Sequence, residues 1–461
     1  MLNSKPSTSE ASSCSTRISA ISMLKFPFKL TKDQVDAVDA WVMNDYKGSI
    51  IYTTGTGKTE IAYECARRAY EAVEEANVYD DTNPFSILIL VPRIVLVQQN
   101  INRLTRYGIP LERIGAYFGE RKEVNEITIS TYQSAISNLN LIKRSKMIIF
   151  DEVHLVSDTA TTLSRVFNFA TEGKSKKPLL GLTATIDEQD LRYKTILSLL
   201  PPVKKYMIKE AVKDKRLARP VVIPMKVDLT PDEKKIYDEC TAKIRNISRY
   251  LHTSDPKSIT SILRKEGHSA GLARAWFANV KERKNLINCA TNKLLAAVDV
   301  IRTKHPSERI MVFSETIESI QMLKDLLEEN EIKSMLINSK SRSKERQKIL
   351  SEWGKEFFPL LSVHTLEIGY DVPEVRVAII LASTSNIHQI VQRIGRIVRK
   401  TKGKETALIY TIYLSYTYDF NTLKMVRQAT FVGHEKGSRI STDNRYVQTT
   451  LPGLEKDFSV G

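Results

Sequence analysis

Residues Ser49–Thr53 form a short β-branched run, and the chain then turns through Thr54-Gly55-Thr56-Gly57-Lys58-Thr59 into a helical pattern over Glu60–Tyr70. A strand, a glycine-broken loop and a helix in that order leave few folds open. The glycines let several backbone N–H groups face one point. The helix that follows adds the positive end of its dipole. Such a loop suits a polyphosphate: Lys58 is placed to reach its β and γ phosphates, and the Thr59 hydroxyl to ligate Mg²⁺. Tyr52 stands where the full pattern has its first glycine. The shorter Gly-x-Gly-Lys-Thr string arises by chance in roughly one chain of this length in a hundred.

Around this loop the chain alternates between two periods. Strand-like runs lie at Ser49–Thr53, Ile87–Val91, Ile127–Ser130, Met147–Phe150 and Leu179–Leu182, with helix-like stretches such as Lys32–Trp41 and Thr59–Ala72 between them. A second set runs through Ile310–Phe313, Lys333–Ile337, Leu360–Val363, Val377–Leu381 and Ala407–Tyr413, with helices at Ile317–Asn330, Ser343–Trp353 and Ile387–Val398. Alternation of this kind predicts an α/β fold with two lobes, each a mostly parallel sheet flanked by helices. The expected organisation is a disordered tail at 1–23, a first lobe at 24–203, a basic helical connector at 204–305, a second lobe at 306–420 and a C-terminal extension at 421–461.

The 461 residues carry 69 basic against 53 acidic side chains, a net charge of +16. That excess points to a polyanionic partner, nucleic acid first. Residues 201–300 alone hold 21 basic and 11 acidic side chains. They read as either a solvated helical connector or a nucleic-acid contact surface. No apolar run approaches the ~20 residues of a spanning helix, which argues against an integral membrane protein. The four cysteines, at 14, 65, 240 and 289, have no metal-site spacing and are too sparse for a disulfide scaffold. An intracellular, reducing setting is expected: cytoplasm or nucleoid, or a nucleus. The Ser- and Thr-rich start lacks a signal-peptide core; a disordered tail is expected, though the composition also fits an organelle transit peptide.

Two further clusters carry chemistry. Met147–Phe150 runs straight into Asp151-Glu152-Val153-His154. Carboxylates there fall at the C-terminal edge of a parallel sheet, where ligands bind. Asp151 is placed to hold Mg²⁺ and Glu152 to deprotonate an attacking water. Far downstream, Arg393, Arg396 and Arg399 recur at three-residue spacing in a helical stretch and so share roughly one side. They read as a basic helical face, or as arginine fingers that meet a γ-phosphate held by the first lobe.

Taken in order, these blocks resemble the superfamily 2 helicases and translocases with a DExH box, and within them the XPB-like DNA helicases of bacteria, archaea and their viruses. The resemblance covers about 24–415. Gln34, in Phe28-Lys29-Leu30-Thr31-Lys32-Asp33-Gln34, matches the glutamine that reads adenine in the family, although Asp33 replaces the usual tyrosine. Gly55–Thr59 matches motif I, with Thr54 and Thr56 in the same nucleotide-binding loop. Leu90–Gln99 looks like motif Ia, which supplies Arg93 and Gln98 as nucleic-acid contacts. Ser130-Thr131-Tyr132-Gln133 resembles the next backbone-contacting block, with Thr131 and Gln133. Asp151–His154 matches motif II, and Leu182–Thr185 matches motif III, so His154, Thr183 and Thr185 would couple hydrolysis to lobe motion. Met311–Ser314 looks like motif IV. Gly369 and Asp371 fall in motif V at the nucleotide, and Gln392, Gly395, Arg396 and Arg399 in motif VI.

The resemblance implies two RecA-like lobes with ATP and Mg²⁺ in the cleft between them. It implies an ATP-dependent nucleic-acid helicase or translocase, DNA preferred and RNA possible, with Glu152, Gln392, Arg396 and Arg399 as catalytic residues. A nucleotide-switched clamp with little turnover is the remaining alternative. Protein partners would dock on the basic insert or on the C-terminal tail.

Overall fold

The computed structural model describes residues 19–75, 85–171, 177–265, 267–338, 341, 343–363, 374–382, 387–401 and 403–431. Among them the first lobe holds β1 (Lys47–Tyr52), β2 (Ile87–Val91), β3 (Ile114–Phe118), β4 (Arg121–Lys122), β5 (Ile127–Thr131), β6 (Met147–Asp151), β7 (Leu179–Thr183) and β8 (Pro202–Tyr206). They lie in the order β4-β3-β5-β2-β6-β7-β1-β8, parallel throughout except the β3–β4 hairpin. The second lobe holds β9 (Arg219–Val227), β10 (Ile310–Ser314), β11 (Met335–Ile337), β12 (Pro359–Val363), β13 (Val377–Ile380) and β14 (Thr406–Leu414), in the order β11-β12-β10-β13-β14-β9 and wholly parallel. No helix of the described residues is long and apolar enough to cross a membrane.

Parallel sheets need apolar side chains on both faces, and β2 supplies them in alternation. Ile87, Ile89 and Val91 pack into one core, Leu88 and Leu90 into the opposite one. The first of these cores does not stop at the lobe. It continues through Ile208, Ala211 and Leu217 into Ile390, Ile394 and Val398, and on to Met311, Phe313 and Ala378 of the second sheet. Burial of that shared apolar surface holds the lobes face to face.

The stretch expected as a helical connector at 204–305 is built differently. β9 pairs with β14 residue for residue, from Arg219 with Thr406 to Val227 with Leu414. The chain therefore enters the second sheet before the helices begin. Pro220 and Pro224 argue against a strand, but β9 lies at the edge of its sheet, where missing N–H groups are tolerated. The helices Pro231–Tyr250, Pro256–Leu263 and His268–Cys289 then form an insert within the second lobe, with a small core of Ile244, Ile259, Ala273 and Trp276.

Candidate active site

β1 ends at Tyr52, and the backbone then passes through Gly55 and Gly57 at φ 85° and 86°, left-handed values that a Cβ disfavours. Thr53 N–H donates to Tyr206 O at 3.0 Å, and Thr56 Oγ1 to Thr53 O at 2.7 Å. Lys58 opens the helix Lys58–Glu75, and its Nζ donates to Tyr52 O at 3.0 Å. The ring of Tyr52 stacks on Tyr206 with centres 5.1 Å apart, and its hydroxyl donates to Asp33 O at 2.7 Å. The residue that replaces the usual glycine thus braces the loop from behind. Gln34, buried, accepts from Thr31 N–H at 2.9 Å and donates through Nε2 to Thr56 O at 3.1 Å.

Asp151 ends β6, and Glu152 follows at φ 53°, ψ 52°. A left-handed glutamate is a strained conformation of the kind found at functional sites. Burial, and then the neighbouring Glu152, push the Asp151 carboxyl up to about 7, against the pull of Lys58. Two neighbouring carboxylates at the cleft suit a divalent cation. Mg²⁺ in particular binds through one or two carboxylates, its other positions going to phosphate and water. Asp151 and the Thr59 hydroxyl line the same cleft and fit that donor set. Behind them, His154 Nδ1 lies 3.3 Å from Glu152 Oε2 and 2.9 Å from Thr183 Oγ1. The Thr183 hydroxyl gives its hydrogen to Thr185 O at 2.9 Å, so His154 Nδ1–H is the donor toward it.

The second lobe faces these groups with the helix Ile387–Ile397. Arg396 from this helix and Arg399 just beyond it line a cleft of about 740 Å³ together with Gly55, Lys58, Thr59, Asp151 and Glu152. Gly395 marks a close approach of the lobes: a Cβ there would lie 1.4 Å from Thr54 Oγ1. Arg399 presses on the loop, its Cγ 3.2 Å from where a Cβ on Gly55 would stand.

The Type III restriction enzyme res subunit family matches residues 27–188, and the helicase conserved C-terminal domain family matches 291–401. The chain is 27% identical over 418 residues to the DNA 3'-5' translocase XPB2 of Sulfurisphaera tokodaii, covering 87% of each. It is 25% identical over 400 residues to the DNA 3'-5' helicase XPB of Mycobacterium tuberculosis, covering 81% of this chain and 61% of that one. The helicase domain of Pyrococcus furiosus Hef has the same fold, with a TM-score of 0.56 at 19% identity over 86% of this chain and 99% of that one. The two family matches and these relatives support an XPB-like superfamily 2 helicase. It is an ATP-hydrolysing enzyme with two RecA-like lobes.

The other expected residues of this helicase fall into three groups. Arg93, Gln98 and Gln133 are exposed at the C-terminal ends of β2 and β5 or on the helices that follow. Gln98 donates to Asn102 Oδ1 at 2.8 Å, while the Thr131 hydroxyl is buried and caps a helix by accepting from Ser134 N–H at 3.3 Å. Gln392 is buried and is not among the residues that line the cleft. Gly369 and Asp371 lie outside the described residues, as do most of the tail at 1–23 and the extension beyond Phe431. The expected common side for Arg393, Arg396 and Arg399 needs correction. Each step of three residues rotates about 60° around a helix, and Arg393 turns into the second lobe, 1% exposed, its Cζ 5.3 Å from the Phe313 ring centre.

The sequence reading missed Arg216. Its guanidinium donates to Thr56 O at 2.7 Å, to Thr31 Oγ1 at 2.9 Å and to Asp33 Oδ2 at 2.5 Å. It therefore ties the phosphate loop to the Gln34 helix from a segment whose next residues, Leu217 and Ala218, pair with Arg399 and Val398. Only the unusual Asp33 hinted at it, because an acid in that place needs a cation. Tyr132, which donates to Asp151 O at 2.8 Å, and the cleft-facing Arg103 and Arg106 were also missed.

Proposed function

We propose that the cleft of this XPB-like helicase drives movement along, or unwinding of, DNA by hydrolysing ATP, in the 3'-to-5' direction that both named relatives carry. The observation that carries the reading is that the phosphate loop, the acidic pair and two second-lobe arginines line one cleft. Lys58 and the loop N–H groups hold the phosphates. Thr59 and Asp151 would hold Mg²⁺, which neutralises phosphate charge when bound. Gln34 has one amide N–H committed to Thr56 O and offers its second to the base.

Glu152 takes a proton from water as its oxygen attacks the γ-phosphorus. The bond to the bridging oxygen breaks, and ADP and phosphate leave. His154 orients Glu152 and links it to Thr183 and Thr185 at the end of β7. Arg396 and Arg399 stabilise the spreading charge only while the lobes are closed, so the cycle opens and closes the cleft. DNA crosses the strand ends of both lobes near Arg93, Thr131 and Gln133. Such contacts are mainly to phosphates, so sequence preference is low and salt dependence steep.

The test is steady-state ATP hydrolysis without nucleic acid and with duplex DNA, single-stranded DNA or single-stranded RNA. Stimulation by DNA that Lys58→Ala and Glu152→Gln abolish is the expected result. Stimulation by RNA alone would overturn the DNA assignment. Turnover that survives in both variants would overturn the site.

A further inference from the structure

The cleft holds an acid beside the place where a polyphosphate binds. Glu60 follows Lys58 and Thr59 in the first turn of the helix Lys58–Glu75 and lines the cleft with them. An acid there suits the helix dipole, but an exposed one would serve the dipole as well. Glu60 is instead held in place, its side chain 12% exposed. Its Oε1 accepts from the Tyr107 hydroxyl at 3.0 Å, and Arg103 Nη1 lies 3.3 Å from the same oxygen. Both partners come from the end of the helix Ile94–Arg106. Oε2, which no hydrogen bond among the described residues reaches, lies 3.3 Å from where a Cβ on Gly57 would stand.

Gln34 converges on the same glycine: its Nε2 would overlap a Cβ there. The two side chains are therefore neighbours at the edge of the phosphate loop. Gln34 turns its oxygen back on the start of its own helix, accepting from Thr31 N–H at 2.9 Å with Thr31 Oγ1 at 3.1 Å. Its Nε2 gives one N–H to Thr56 O. What remains for a base is a single donor. Purine N7 accepts such a donor, and adenine and guanine both have it. Gln34 by itself thus holds a purine without telling one from the other. The two bases differ at the next position on that edge, where adenine presents an amine and guanine a carbonyl. A site that chooses adenine needs an acceptor beside its donor, and the acceptor beside Gln34 is Glu60 Oε2.

We propose that Glu60 is the residue that selects adenine in this cleft. Its Oε2 accepts a hydrogen bond from the exocyclic amine while the remaining Gln34 N–H meets N7. Guanine would set its carbonyl oxygen against the carboxylate, acceptor facing acceptor, with neither group satisfied. Tyr107 and Arg103 hold the carboxylate at the base, and the Arg103 charge offsets that of Glu60 near the phosphates. The assignment rests on the reading that Lys58 and Thr59 take the phosphates and Mg²⁺, and it deepens that reading from phosphate to base.

The test is steady-state hydrolysis by the full chain, with duplex DNA present, of ATP, GTP, 2'-deoxyATP and purine riboside triphosphate, in which hydrogen replaces the amine. The wild type is expected to prefer ATP to GTP in kcat/KM. Glu60→Gln should cut that preference by about 10- to 100-fold, mainly through KM, because an amide can turn either its oxygen or its N–H₂ to the base. In Glu60→Ala, ATP and purine riboside triphosphate should become equivalent. These are ratios between nucleotides on one protein, so a loss of stability does not move them. An unchanged ATP-to-GTP ratio in both variants overturns the proposal, as does a wild type that uses both equally. A change confined to ATP against 2'-deoxyATP overturns it too, because Glu60 would then face the ribose. Turnover of every nucleotide by Lys58→Ala at the wild-type rate would instead defeat the reading of the site on which the proposal rests.

Discussion

The two sheets end in opposite kinds of charge. At the C-terminal edge of the first, Asp151 and Glu152 are carboxylates held close together, and burial raises the Asp151 pKa. The second lobe buries cations: Lys293, Lys404 and Arg393 are each no more than 2% exposed. They are housed differently. Lys293 meets a carboxylate, Asp419; Arg393 lies over the Phe313 ring; Lys404 Nζ donates to the carbonyls of Val375 and Ile397. The acids face a cleft, where a cation and a polyphosphate can complete them. The buried lysines are completed inside the lobe, and they fix the turn after β14, where Asp419 also accepts from Leu414 N–H at 3.0 Å, and the end of the arginine helix. Charge at the edge of the first lobe is left open to a ligand, and charge inside the second is closed on partners within the lobe.

That contrast breaks most visibly where the lobes meet. Arg396→Ala removes a cation that only closure of the second lobe brings to the phosphates, and kcat for ATP hydrolysis should fall about 10³-fold or more, as expected for an arginine finger. Binding of a labelled ATP analogue should change far less, because the loop and Lys58 remain. A parallel loss of binding would move Arg396 from the transition state to the ground state. Inside the second lobe, Lys293→Met leaves Asp419 buried without its cation. Unfolding in guanidinium chloride should show a loss of about 3–5 kcal/mol. The double variant Lys293→Met/Asp419→Leu should recover most of it. Failure to recover would mean that Asp419 earns its place by capping the turn rather than by meeting Lys293.

The same contrast explains what the sequence made legible. Strand–loop–helix order and β-branched runs reported the strands at Ile87–Val91 and Val377–Ile380, and the phosphate loop, because those signals are local. Lys58, Thr59, Asp151, Glu152 and Arg396 come together in the cleft as their positions at strand and helix ends suggested. Three features were hidden for stated reasons. β9 carries two prolines that only an edge strand accepts. Arg216 acts on residues 160 and more positions away, and no local pattern announces such a bond. Arg393 shares the spacing of its neighbours but not their side of the helix, because three-residue spacing drifts.

Gly395 tests how tightly the two edges must meet. Its missing Cβ is what lets Thr54 approach, and a methyl group there would overlap the Thr54 hydroxyl. Gly395→Ala should cost about 10- to 100-fold in nucleic-acid-stimulated turnover through a cleft held ajar, equivalent to about 1–3 kcal/mol of overpacking. Adding Thr54→Gly should restore part of it. If the single variant turns over normally, the cleft works with the lobes further apart than they stand here.

The smallest effect is a pH dependence carried by Lys404. Burial lowers its pKa to about 8 from an ordinary 10.5; Glu374 opposes the shift, and Arg376 and Arg399 add to it. Below pH 8 the amine is charged both folded and unfolded, and the folded state bears the full cost of burying it. Between pH 8 and 10.5 the folded protein gives up the proton first, so the unfolded chain binds more protons and stability rises with pH. The neutral amine keeps two N–H groups, enough for both carbonyls, so the gain comes without a lost hydrogen bond. Relative to Lys404→Met, the wild type should therefore gain on the order of 1 kcal/mol across that window in guanidinium unfolding. A difference that stays flat, or falls as pH rises, would mean that the charge of Lys404 serves the carbonyl end of the arginine helix, where a cation is favoured.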